Sequence, residues 1–183
     1  PMKVLYLNDL PLSGGGGTER YISRIIDEME DRGHRTKFLS LLGKNSDIGF
    51  SDSLPLVYSQ RYLAPARRRK LKNEIEQFQP DIIHVNMSQY ASIPILKTLG
   101  SADATVIRTF HGYSFFSWCA DGVHNEGNLC EGTLESCLED DEISLKQYIF
   151  RKPIDFFRRR YAERAYEFGL APSKDLENFC SGY

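Results

Sequence analysis

The chain has 183 residues, of which 41% are hydrophobic, 26% charged and 12% aromatic, an ordinary globular composition long enough to bury roughly 70% of the unfolded surface. Its 23 Lys and Arg against 25 Asp and Glu leave a formal net charge of −2, which gives no global basic field to attract nucleic acid. No run approaches the ~18 apolar residues of a membrane span, and no charged-then-apolar start ends in a cleavage pattern, so a soluble, cytoplasmic protein is expected.

Lys3 to Leu7 is a short apolar run closed by Asn8, Asp9 and Pro11, the pattern of a strand buried on both faces. Ser13-Gly14-Gly15-Gly16-Gly17 breaks regular structure, and Thr18 is the expected N-cap of a helix over about 19–32, with Tyr21, Ile22, Ile25, Ile26 and Met29 on one face. Gly33 stops it, and Thr36 to Leu42 follows as a second strand. After a polar loop to about Pro65 come a helix carrying Leu71, Ile75 and Phe78, a stop at Pro80, and a third strand over 81–86. A helix over Ala91 to Leu99, entered or kinked at Pro94, and a fourth strand over Ala104 to Phe110 complete the regular alternation. From about 112 to 142 no period is sustained, so an irregular, cysteine-containing insertion is expected there. Helical spacing returns over Ile143 to Tyr166, interrupted at Pro153. A fifth strand over Phe168 to Ala171 ends at Pro172 and Ser173, and a last helix starts near Lys174. Strands alternating with helices imply a parallel sheet covered on both faces, with ligands at the C-terminal strand ends. Residues 1–183 read as one domain. Pro1 ahead of Met2 reads as a remnant of expression, and a chain ending right after a helix is expected to be part of a longer protein.

A glycine-rich link from a strand to a helix N-terminus offers backbone N–H groups and a positive dipole end to an anion. The standard motifs do not fit: the third glycine of G-x-G-x-x-G would fall on Glu19, and no Gly-Lys-Ser/Thr follows. A mobile loop without a ligand is the competing reading, and the dipole alone accounts for Glu19 in the first turn. His84 and His111 both fall near the C-terminal ends of neighbouring strands. His84, inside an apolar run, reads either as a buried, hydrogen-bonded core residue or as a ligand contact. His111, followed by Gly112, is the better placed of the two to touch a ligand.

Met-Lys-Val-Leu-Tyr-Leu over 2–7, Gly-Gly-Gly-Thr-Glu-Arg-Tyr over 15–21, Arg-Gly-His over 32–34, Pro-Asp-Ile-Ile-His-Val over 80–85, Thr-Phe-His-Gly over 109–112 and Ala-Pro-Ser over 171–173 resemble, in order and spacing, the N-terminal domain of group 1, family 4 glycosyltransferases. The resemblance covers nearly the whole chain. It implies a three-layer, Rossmann-like α/β domain with a mainly parallel sheet, one half of a GT-B enzyme that transfers a sugar from a nucleotide-sugar donor with retention of configuration. No cofactor is required in such enzymes, usually not even a metal. It implies that Gly15, Gly16 and Gly17, with Glu19, approach the donor phosphates and the acceptor, and that His111 lines the catalytic cleft near the transferred sugar. His84 and Ser173 match motif positions beside it. Most donor contacts would belong to a C-terminal Rossmann-like domain in cis, absent from these residues. Two other readings stand beside this one: a non-catalytic binding or scaffold module of the same fold, and a nucleotide-sugar epimerase of similar architecture.

Cys119, Cys130 and Cys137 are separated by ten and six residues with no Cys-x-x-Cys pair, while His124 lies among them and Cys180 further on. Reduced thiols, a disulfide formed on isolation and a structural zinc, held by Cys119, Cys130, Cys137 and His124 or by the four cysteines, all remain open. The basic clusters, Arg67 to Lys70 with Lys72, and Arg151, Lys152, Arg158, Arg159, Arg160 and Arg164, read as solvated helix surface or as peripheral contacts to an anionic membrane carrying a lipid-linked acceptor. No nucleic-acid motif accompanies them.

Overall fold

The computed structural model describes residues 1–41, 65–86, 93–111, 134–139, 144–174 and 177. β1 (Lys3–Asn8) leads through a single 3₁₀ turn at Leu12–Gly14 into α1 (Gly17–Asp31), and β2 (Arg35–Ser40) follows. Then come α2 (Pro65–Phe78), β3 (Ile82–Val85), α3 (Ile93–Leu99) and β4 (Thr105–Thr109). α4 (Leu134–Glu139), α5 (Leu145–Ala165) and β5 (Phe168–Leu170) complete the described elements. None of the described helices is long and apolar enough to cross a membrane.

The five strands form one sheet in the order β2-β1-β3-β4-β5, and every pairing is parallel. This is a doubly wound, Rossmann-like α/β architecture. Side chains alternate across each strand, so β1 serves two cores at once. Leu5 and Leu7 join Ile83, Val85 and Val106 under Leu71 and Ile75 of α2, Ile95, Leu96 and Leu99 of α3, and Ala162 and Ala165 of α5. Val4 and Tyr6 turn the other way, onto Ile22, Ile25, Ile26 and Met29 of α1. The three layers follow from that alternation. The chain steps from β1 to β2 on one side and then crosses back past β1 to β3 on the other, so the strand order reverses between β1 and β3, the switch point where such sheets place a ligand crevice at their C-terminal strand ends.

Several boundaries differ from the sequence expectation. α1 begins at Gly17 with Gly16 as its cap, and no side chain caps it. Thr18 is therefore inside the first turn, because Glu19 is drawn inward there. At the other end the helix closes as expected on Gly33, at φ +79, where the amide of Gly33 bonds Glu30 O and that of His34 bonds Met29 O. A short helix, α4, lies within the stretch expected to be irregular. α5 runs through Pro153 without a break. Pro153 and Ile149 are both exposed, so water is at hand for the carbonyl that proline cannot serve.

Arg158 of the second basic cluster is buried, so that cluster is not wholly solvated. Lys152 pairs with Glu135 across α4 and α5 at 2.8 Å. Cys137 lies in α4; Cys119, Cys130, His124 and Cys180 lie outside the described residues, as does most of the expected insertion.

Ile83 is fully buried in the middle of the sheet, so Ile83→Ala is expected to cost about 2–5 kcal/mol of unfolding free energy. Urea denaturation measures it, with exposed Lys70→Ala as a control expected within about 0.5 kcal/mol.

Candidate functional site

Three strands of the sheet end in polar residues on the same edge. Asn8 closes β1, Asn86 follows β3, and Thr109 closes β4 just before Phe110 and His111. A parallel sheet exposes its carboxyl ends to the loops that follow, so these side chains meet beside the first turn of α1.

Glu19, only 4% exposed, is the link between loop and sheet. Its Oε1 accepts from Asn8 Nδ2 at 3.1 Å, and the same amide donates to Leu10 O at 2.9 Å. Glu19 is the third residue after the cap, where an acid can reach back toward the start of its helix. Its Oε2 lies so close to Gly16 that a Cβ there would collide with it. Gly15, at φ +72, and Gly17 open onto free space. The glycine turn is therefore fitted at Gly16 and open on either side. The first amides of α1 have no partners within the helix and carry the positive end of its dipole.

His84 and His111 stand one layer further along the sheet. His84, 6% exposed, lies against Tyr6, ring centroids 5.4 Å apart, and its Nε2 is 2.8 Å from Thr109 Oγ1. Burial, then the neighbouring His111, pushes its pKa down to about 4. Burial likewise raises the Tyr6 phenol to about 12. His111 is partly exposed; its Nε2 lies 3.4 Å from Asn86 Oδ1, and Tyr21 of α1 meets its ring edge-on at 5.4 Å. Burial lowers the His111 pKa, Glu19 works against that and Arg108 adds to it. Both imidazoles are therefore neutral near pH 7.

The structure thus brings Gly15, Gly16, Gly17, Glu19, His84 and His111 to one corner. Ser173 lies on the same edge of the sheet beyond β5, where its carbonyl accepts from Glu177 N. Asn8, Asn86, Thr109 and Tyr21 complete the corner, and the sequence reading did not single them out as site residues. The available signal was a polar residue ending each apolar strand run. Among the described residues no group of three or more His, Cys, Asp or Glu side chains is placed to hold a metal. A cavity of about 600 Å³ lined by Lys72, Glu76, Asp81, Thr98 and Asp103 lies at the opposite edge of the sheet, away from the carboxyl ends where ligands of such folds bind.

A doubly wound parallel sheet with a glycine turn and polar strand ends at its switch point defines a Rossmann-like α/β domain. Residues 15–173 match Glycosyltransferase Family 4, and the chain belongs to that family. No individual curated protein matches it.

The imidazole of His84 should titrate by NMR at about 4 rather than near its ordinary 6.5. Unfolded chains then bind the proton first, so stability conferred by His84 is complete above pH ~6.5 and is lost as pH falls toward ~4, by about 3 kcal/mol. A midpoint at or above 6 would show that His84 is not held neutral. At the glycine turn, Gly16→Ala must displace the Glu19 carboxylate and is expected to cost on the order of 1–3 kcal/mol. Gly17→Ala, with open space around it, should be near neutral in the same unfolding assay.

Proposed function

We propose that this chain is the acceptor-side half of a glycosyltransferase that moves a sugar from a nucleotide-sugar donor to a glycan or lipid-linked acceptor with retention of configuration. It would work across a cleft from a C-terminal Rossmann-like domain in a GT-B arrangement, and would be inactive without it. One observation carries the reading: in a member of a glycosyltransferase family, the glycine turn at the start of α1 and His111 after β4 converge on the switch point of the sheet.

Transfer breaks the bond between the anomeric carbon and the diphosphate, leaving negative charge on the departing phosphate and positive charge on the sugar ring. Gly15, Gly16 and Gly17 keep side chains away from the first amides of α1, so a phosphate can approach them and the dipole behind them. Glu19 holds that turn against β1 through Asn8 and does not itself need to touch the donor. His111, neutral and partly exposed, is suited to hydrogen-bond a sugar hydroxyl, and lacking a charge it does not oppose the cationic ring. Asn86 and Tyr21 orient it. His84 acts from underneath, bonded to Thr109, and Ser173 contributes from the neighbouring strand end. None of these roles requires a metal or a further cofactor.

In the complete protein, His111→Ala is expected to lower turnover roughly tenfold or more while far-ultraviolet circular dichroism and the unfolding midpoint stay unchanged. Product analysis over a panel of nucleotide sugars measures it. Unchanged turnover would remove His111 from the site, and release of an epimerised donor without any acceptor would replace transfer by epimerisation.

A further inference from the structure

A shallow groove of about 470 Å³ starts at the glycine turn and runs along α1, lined by Gly17, Arg20, Tyr21, Arg24, Ile25 and Glu28. It adjoins the site directly, since Tyr21 is the residue in edge-on contact with His111. Arg20 and Arg24 are both exposed and stand four positions apart, one above the other on the helix, so their Cβ atoms are about 6 Å apart. Glu28, the acid at the far end, is taken up by Arg32 at 2.6 Å. Among the described residues Arg20 and Arg24 have no ion-pair partner, although α1 carries five acidic residues, Glu19, Asp27, Glu28, Glu30 and Asp31.

 

Glu19 is bonded to Asn8, Glu28 to Arg32 and Glu30 to Thr36. Two guanidinium groups are thus left facing solvent beside a reaction site, on the wall next to the residue proposed to meet the transferred sugar.

We propose that Arg20 and Arg24 form a subsite for an anionic group on the acceptor, so that the acceptor belongs to the class of phosphate- or carboxylate-bearing glycans or lipid-linked sugars. This rests on the transferase reading for the word acceptor, but the subsite itself does not. Arginine presents a planar fork of donors matched to an oxyanion, and two such forks one helical turn apart clasp one group from two sides. Ile25 and the Tyr21 ring supply an apolar floor against which a sugar face can lie. The positive end of the α1 dipole adds to the attraction near Gly17.

Inorganic phosphate is the probe for the subsite, titrated into the full chain at constant ionic strength and followed through the NMR signals of the arginine Nε–H groups. Saturable shifts of Arg20 and Arg24 are expected, with affinity falling at least tenfold in R20Q/R24Q. The pair R68Q/K70Q on α2 changes the net charge equally and should leave binding as it was. An absence of saturable shifts, or binding that survives R20Q/R24Q, overturns the subsite. In the complete protein, R20Q/R24Q should reduce transfer to anionic acceptors at least tenfold through KM while donor hydrolysis is unchanged; equal loss with neutral acceptors also overturns it. If no nucleotide sugar is turned over at all while phosphate still binds through the two arginines, the transferase reading fails and the anion subsite stands.

Discussion

A carboxylate shut away from water has to be bonded, and the placement of Glu19 shows what that requirement organises. Leaving such a group unsatisfied costs several kcal/mol, so the first turn of α1 is anchored where Asn8 can donate to it. That single bond joins the end of β1 to the beginning of the helix that covers it. It also sets how near the glycine turn comes to the sheet, because the other carboxylate oxygen occupies the space a side chain at Gly16 would need. Tyr21, two residues on, is then carried to His111. The arrangement of that corner is a consequence of satisfying one buried acid.

Around that bond the polar residues form a graded layer. His84 is deepest, closed over by Tyr6 and tied to Thr109; His111 is nearer the surface, beside Asn86. The same desolvation that depresses both pKa values has different uses at the two depths. Underneath, it keeps an uncharged ring packed within the sheet. At the rim, it leaves an uncharged ring partly open to solvent.

Much of the architecture was legible because the physics is local. Apolar runs such as Lys3 to Leu7 have to be covered on both faces, and the spacing of Ile22, Ile25, Ile26 and Met29 shows which side of α1 does part of the covering. Gly33 announced its stop by the left-handed conformation that only glycine adopts cheaply. The start of α1 was misplaced because Thr18 is a good cap in isolation, whereas the true start depends on where Glu19 finds Asn8, eleven residues earlier. Asn86 and Thr109 were passed over for a related reason: a polar residue at a strand end looks like punctuation until the sheet order brings three such ends together. The neighbours of β1 are not its neighbours in sequence alone, and no periodicity records that β3 lies beside it.

Strand order also sets an order of construction. β2 pairs with β1, β3 with β1, β4 with β3 and β5 with β4. Each strand therefore joins one that has already left the ribosome, and none has to wait for a partner still to be synthesised. A chain emerging from its N-terminus can extend this sheet as it appears, with β1 as the seed and only one unpaired edge to guard on each side at any stage.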